Sequence, residues 1–106
     1  MKVAVRSSGL KTHIKVDSSP GELEQEDTIL ETGGSTLRSL LLELPEKYGH
    51  QGTTKLRFID PLTGEVDSWY EILVNGKIYR SLTKGLDSKL EKGNIIEINM
   101  YMLGGG

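Results

Sequence analysis

Few residues of this 106-residue chain are of the types that do covalent chemistry, and their spacing narrows the choice further. There are two histidines. His13 sits inside an alternating segment, and His50 lies in a loop between Gly49 and Gly52. Neither has carboxylates at relay or ligand spacing, so both read as surface or half-buried residues rather than as a base or a metal ligand. The serines form no Gly-x-Ser-x-Gly elbow. Gly33-Gly34-Ser35-Thr36 lacks the lysine of a phosphate loop. With no cysteine in the chain, disulfides, thiolate metal sites and cysteine nucleophiles are all removed. No zinc, EF-hand or paired-carboxylate set is present, so the chain does not read as an enzyme in its own right.

What is left is Gly104-Gly105-Gly106, three of the 13 glycines. A frayed end is one reading of them. The other is chemical. Lacking Cβ, glycine lets backbone enter a narrow channel in conformations that bulkier residues avoid. A carboxylate on Gly106 could then be delivered into another protein's active site. Once activated there, for instance by adenylation, it becomes open to attack by sulfide or by an amine.

Charge and hydropathy bound the partners. Lys plus Arg is 13 and Asp plus Glu is 15, a formal net charge of −2, which argues against a nucleic-acid binder. Phe58, Trp69 and Tyr70 have no basic cluster around them, so they read as core or sheet-face residues rather than as a base-stacking platform. No apolar run approaches the ~20 residues of a membrane span, and no signal-peptide core follows Met1, so a cytoplasmic domain is expected.

The elements that must carry the glycine segment follow from periodicity. Lys2 to Arg6 alternates with Val3 and Val5 on one face, and Lys11 to Asp17 alternates through Thr12, Ile14 and Val16, giving two strands and a hairpin at Ser7-Ser8-Gly9. The acidic run Glu22, Glu24, Glu26, Asp27 reads as a solvated loop in preference to a docking site. Thr28 to Glu31 is expected to extend or return the second strand. Ser35 or Thr36 can cap a helix carrying Leu37, Leu40, Leu41, Leu44 and Tyr48 as one apolar stripe. Pro45 should end or kink it near Leu44, with one further turn over Glu46-Lys47-Tyr48.

Beyond the helix, Lys55 to Ile59 is a short strand, and Asp60-Pro61-Leu62-Thr63-Gly64 is a turn. Trp69 to Val74 is a strand, and Asn75-Gly76 a two-residue hairpin returning through Lys77-Ile78-Tyr79. Leu86 to Leu90 suits a short helical turn, and Ile95 to Met100 is the last strand. One helix against one small sheet is an α+β layout. Placing the first and last strands side by side in the centre of a mixed sheet would make it a β-grasp, with one domain over 1–101 and a flexible glycine tail over 102–106.

The order of these pieces resembles the MoaD/ThiS family of sulfur carriers, ubiquitin-like β-grasp proteins ending in Gly-Gly. The matching residues are Met1 to Arg6, Thr36-Leu37-Arg38-Ser39-Leu40-Leu41, Glu46-Lys47-Tyr48, Ile72-Leu73-Val74-Asn75-Gly76-Lys77, Leu90-Glu91-Lys92-Gly93-Asn94-Ile95-Ile96 and the terminal glycines. They cover most of the chain outside 18–34 and 49–68.

The resemblance implies a protein cosubstrate that binds no cofactor or metal itself. A ubiquitin-activating-type enzyme using ATP and magnesium adenylates its C-terminal glycine. Sulfur transfer then makes a thiocarboxylate for a sulfur-acceptor synthase subunit. On this chain Gly106 would carry the sulfur, or Gly105 if the third glycine is trimmed. Gly104 and Gly105 would thread the partner's channel, and Met102 and Leu103 would anchor the tail. Phe58 to Glu65 resembles the extended hairpin of longer MoaD-type and ubiquitin-related modifier proteins. That favours molybdopterin or tungstopterin synthesis, as the small subunit of a molybdopterin synthase, over the thiazole pathway. The same tail and activation step also suit a ubiquitin-like modifier conjugated to a target lysine. Tyr101, Met102 and Leu103, with an exposed sheet face, are the expected docking residues.

Overall fold

The computed structural model describes residues 1–8, 11–18, 21, 23, 25–48 and 57–101. In chain order the elements are β1 (Lys2–Ser8), β2 (Lys11–Val16), β3 (Thr28–Glu31), α1 (Leu37–Tyr48), β4 (Tyr70–Val74), β5 (Lys77–Ile78) and β6 (Ile95–Met100). Two single 3₁₀ turns, Tyr79–Ser81 and Gly85–Asp87, sit between β5 and β6. The second of these is the short helical turn foreseen near Leu86.

Alternation decides which face of each strand is buried, and pairing then aligns those faces. Val5 lies opposite Ile14, Ile14 opposite Ile96, and Ile96 opposite Val74, so four apolar side chains form one row across four strands. Val3 and Val16 extend the surface on one side, Ile72 and Ile98 on the other. On this surface lie Leu37, Leu40, Leu41 and Leu44 of α1, all at most 1% exposed. Each such side chain contributes about 1.5–3 kcal/mol of burial. This single layer of helix on sheet is the core. The Tyr48 side chain, expected to complete the stripe, lies outside the description.

Neighbours in the sheet run β3-β1-β2-β6-β4-β5, and every pair is antiparallel. The expected mixed sheet with first and last strands adjacent is therefore replaced by one in which β2 intervenes. β1 and β6 still run in the same direction, since both oppose β2. The physical reason lies in β2 itself. Ile14 and Val16 are both fully buried, a burden suited to a strand with neighbours on both sides, and the hairpin lays β2 directly against β1. β3 does not extend or return β2 as expected. It pairs with the other side of β1 and forms the sheet edge.

The helix begins where sequence places it. The Thr36 hydroxyl accepts the Ser39 N–H at 3.2 Å, and Ser39 Oγ accepts the Thr36 N–H at 3.1 Å, a reciprocal cap with serine in the third helical position. Ser88 and Ser35 carbonyls accept the Leu37 and Leu90 amides, tying the helix start to the chain that leads into β6. α1 continues through Pro45 for the one further turn. The proline leaves the Leu41 carbonyl without its helical partner, while buried Leu41 and Leu44 keep the helix on the sheet.

A second tie crosses the helix start. Gly33 N–H donates to Glu43 Oε1 at 2.8 Å and Gly34 N–H to Oε2 at 3.1 Å, with Lys47 Nζ 3.7 Å from the same carboxylate. The Gly33 amide is the chief cause holding the Glu43 carboxyl below its ordinary range. Partial burial opposes the shift, and Gly34 and Lys47 add to it. A depressed carboxyl contributes stability that is present above its unfolded value of about 4.3 and lost as pH falls through the folded value. The urea-midpoint gap between the wild type and Glu43→Gln should be full at neutral pH and shrink as pH drops below about 4. A gap that stays constant into strong acid would show that the charge is not what holds the loop.

In the second half, Ile59 and Val66 form a single bridge closed by Asp60 N–H to the Glu65 carbonyl, 2.8 Å. Asp60 Oδ1 accepts the Leu62 amide and Gly64 has φ +72°, which completes the foreseen turn. Of the strand expected over Lys55 to Ile59, residues 55 and 56 lie outside the description; among the described ones Ile59 forms the bridge and the Phe58 carbonyl accepts the Asp67 amide at 2.8 Å. Asn75 and Gly76, at φ +52° and +83°, form the mirror-image turn that a two-residue hairpin needs.

Candidate functional site

The residues expected to carry chemistry, Gly104, Gly105 and Gly106 with Met102 and Leu103, lie outside the described residues. The structure does describe the root from which they extend. β6 runs between β2 and β4, and its last residue, Met100, lies opposite Tyr70. One residue further, the Tyr101 N–H donates to the Trp69 carbonyl at 2.7 Å. The Tyr101 hydroxyl donates to Glu71 Oε2 at 2.9 Å, and Asn99 Nδ2 donates to Glu71 Oε1 at 3.4 Å. One carboxylate on β4 thus holds two residues at the end of β6.

The register explains why. Glu71 lies opposite Asn99, so Glu71, Asn99 and Tyr101 share the sheet face turned away from α1. The hydrogen bond to Glu71 is the first cause raising the Tyr101 hydroxyl above its ordinary value. Burial and the Glu71 charge add to the shift and Arg80 opposes it. The tyrosine is a neutral donor at neutral pH. Arg80 Nε in turn donates to the Tyr79 hydroxyl at 3.4 Å, and its guanidinium stacks 5.6 Å above the Tyr79 ring.

On the helix side of the same root is a mostly apolar groove of about 550 Å³, lined by Leu42, Pro45, Trp69 and Met100, with the charged Glu46, Arg57 and Asp67 also on its wall. Phe58 is buried and meets Tyr70 edge-on at 4.9 Å, as a core pair does. Burial is the main cause holding the Tyr70 hydroxyl above its usual value, with the Asp67 charge adding. Trp69 is different. It is 47% exposed, as are Leu42 at 53% and Tyr101 at 46%, so it belongs to the surface rather than the core.

The other candidates disperse. His13 Nε2 is 3.4 Å from Glu97 Oε1 on the outer sheet face, with Lys11 3.9 Å from the same carboxylate. His50 lies outside the described residues. Among the described residues no three metal-ligating side chains gather.

Asp27 departs from the solvated loop expected of the acidic run. Its side chain is 2% exposed and pairs with Lys15 at 3.7 Å, whereas Glu26, 3.6 Å from Arg6, is exposed as expected. Their partners are outward-facing residues of β1 and β2, so this segment closes over its own sheet. Glu22 and Glu24 lie outside the described residues. Ala4 also points outward yet is 3% exposed, beside Leu23 and Ile29.

Sequence reasoning missed Glu71 as the brace of the tail root. It also missed Arg38, whose Nη1 donates to the Gly64 carbonyl at 2.7 Å and whose Nε donates to Asp87 at 3.1 Å. The signal for Glu71 was its place two residues from Trp69 in an alternating strand. Its partner across the sheet became visible only with the register. Comparison of the chain with protein-family models, curated proteins and solved structures finds no match in any of the three. No described helix is long and apolar enough to cross a membrane.

Proposed function

We propose that this chain is a sulfur carrier of the MoaD/ThiS type, a cytoplasmic protein cosubstrate whose C-terminal glycine is activated by a partner. The observation that carries the reading is the junction of β6 with the glycine segment. A strand between two neighbours, braced at its end by Glu71 and Trp69, leads directly into Met102-Leu103-Gly104-Gly105-Gly106. A firmly held root followed, after Met102 and Leu103, by three glycines suits delivery of a carboxylate into a narrow channel. The β-grasp assignment is part of the same proposal. One helix across one sheet face and a Val74-Asn75-Gly76 hairpin beside the last strand support it, and the insertion of β2 distinguishes this sheet.

The chemistry divides between chain and partner. The Gly106 carboxylate attacks the α-phosphorus of ATP, held with magnesium by the adenylating enzyme, and pyrophosphate leaves. Hydrosulfide then attacks the acyl carbon and AMP leaves, giving the thiocarboxylate and a proton. The sulfur passes to an acceptor synthase subunit, in the molybdopterin or tungstopterin pathway on the resemblance of Phe58 to Glu65. This chain supplies the carboxylate and its placement.

Incubation of the full chain with each adenylating enzyme of its genome, ATP, magnesium and sulfide should yield a species with one oxygen replaced by sulfur, read by intact mass. Deletion of Gly105 and Gly106 should abolish it. No mass change with any of those enzymes would sink the proposal. A ladder of lysine conjugates in cell lysate, lost on the same deletion and without the sulfur species, would favour the modifier reading.

A further inference from the structure

We infer that the groove between the C-terminal half of α1 and the start of β4 is where the adenylating enzyme docks, seating one of its apolar side chains there. This rests on the sulfur-carrier reading. Gly106 lies five residues beyond Tyr101. At about 3.3–3.6 Å per residue they span at most roughly 18 Å when fully extended. For Gly106 to reach a nucleotide enclosed by a partner, that partner's surface must therefore come close to the tail root. Whatever surrounds Tyr101 lies inside the footprint.

What surrounds it on the helix side is mostly apolar and open, with Glu46, Arg57 and Asp67 among its lining. Met100, the residue before Tyr101, lines the groove together with Leu41, Leu42, Pro45, Phe58 and Trp69. Leu42 and Trp69 are each about half exposed, an arrangement that costs solvation in the free protein and is recovered on docking. Tryptophan in a well-lined depression is the residue type that most often dominates an interface. Two other exposed apolar residues, Ile95 and Ile78, sit farther from the root. Ile95 is at the far end of β6 from Met100, and Ile78 sits across from Leu73, away from the Tyr70 end of β4. The docking surface is thus placed by tether length and not by hydrophobicity alone.

The test is ATP–pyrophosphate exchange by the adenylating enzyme, with the full chain as the varied substrate. Leu42→Glu and Trp69→Glu both alter exposed side chains, and unchanged thermal midpoints check that the variants fold. Each should raise KM by about tenfold or more with kcat little changed, as expected when an apolar contact made equally in ground and transition states is lost. Ile95→Glu should leave KM within about twofold.

Wild-type-like KM for Leu42→Glu and Trp69→Glu, with the wild-type chain active, would overturn the docking inference and leave the carrier reading standing. An equal rise for Ile95→Glu would also overturn it. Absence of exchange with the wild-type chain and every adenylating enzyme of the genome would remove both.

Discussion

Replacing Ile14 by alanine should cost about 3–4 kcal/mol, read as a fall in the urea midpoint at unchanged slope. Ile14 is fully buried at the centre of β2, facing Val5 on one neighbour and Ile96 on the other. Removing its outer carbons leaves a void between two strands and the helix, with little that can relax into it. The comparison residue is Ile29 of the edge strand, which is 43% exposed. Ile29→Ala should cost less than about 1 kcal/mol. The contrast tests the burial of the two positions: Ile14 faces α1, whereas Ile29 lies across from outward-pointing Ala4. Equal effects would show that Ile14 is not packed under the helix.

The second large effect is expected at Gly34. A Cβ there would lie 2.2 Å from Ser39 Oγ and 2.4 Å from Ser39 Cβ, far inside contact distance. Ser39 has little freedom to yield. It sits in the first turn of α1, and its oxygen accepts the Thr36 amide while donating to the Thr36 carbonyl at 2.9 Å. Gly34→Ala therefore strains the loop and breaks the reciprocal cap together, for about 2–3 kcal/mol. In a domain of this size that is a fall in melting temperature of order 10 °C or more.

Gly33→Ala is the control. Its nearest contact would be Glu43 Oε1 at 3.7 Å, so a change within about 0.5 kcal/mol is expected. Adding Ser39→Gly to Gly34→Ala removes both clashing atoms and should recover the strain, while the cap stays lost. Equal effects of Gly33→Ala and Gly34→Ala would show that close approach is not the reason for glycine at 34.

These two sites also mark what could be read from the chain alone. Alternation in Lys2 to Arg6 put Val3 and Val5 on one face, and in Lys11 to Asp17 it ran through Thr12, Ile14 and Val16; all of these but Thr12 are buried. Asn75-Gly76 named its own turn because only certain residues accept positive φ at both positions. Ser35 and Thr36 both announced the helix start, and Thr36 is the one that caps it. Period two, however, says which face a side chain takes and nothing about which strand lies beside it. The neighbours of β2 and the position of β3 therefore had to come from the structure. For Trp69 the sequence left core and sheet face open, and its place just before β4 puts it at the exposed rim. Glu71 and Tyr101 are 30 residues apart, and only the β4–β6 register makes them partners.

The position of β6 has a mechanical consequence for anything that pulls on the chain beyond Tyr101. Load entering at the end of β6 runs along the strand, parallel to two antiparallel ladders at once, one to β2 and one to β4. Bonds in both ladders must slide together instead of opening one at a time, as they would on an edge strand. At the loaded end, Glu71 clasps Tyr101 and Asn99. At the far end, Asn75 holds Ile95 through its amide to the Ile95 carbonyl and its Oδ1 to the Ile95 N–H, both 2.8 Å. The strand is a tether made fast at two points, so drag on the tail is spread over the sheet before any strand can peel.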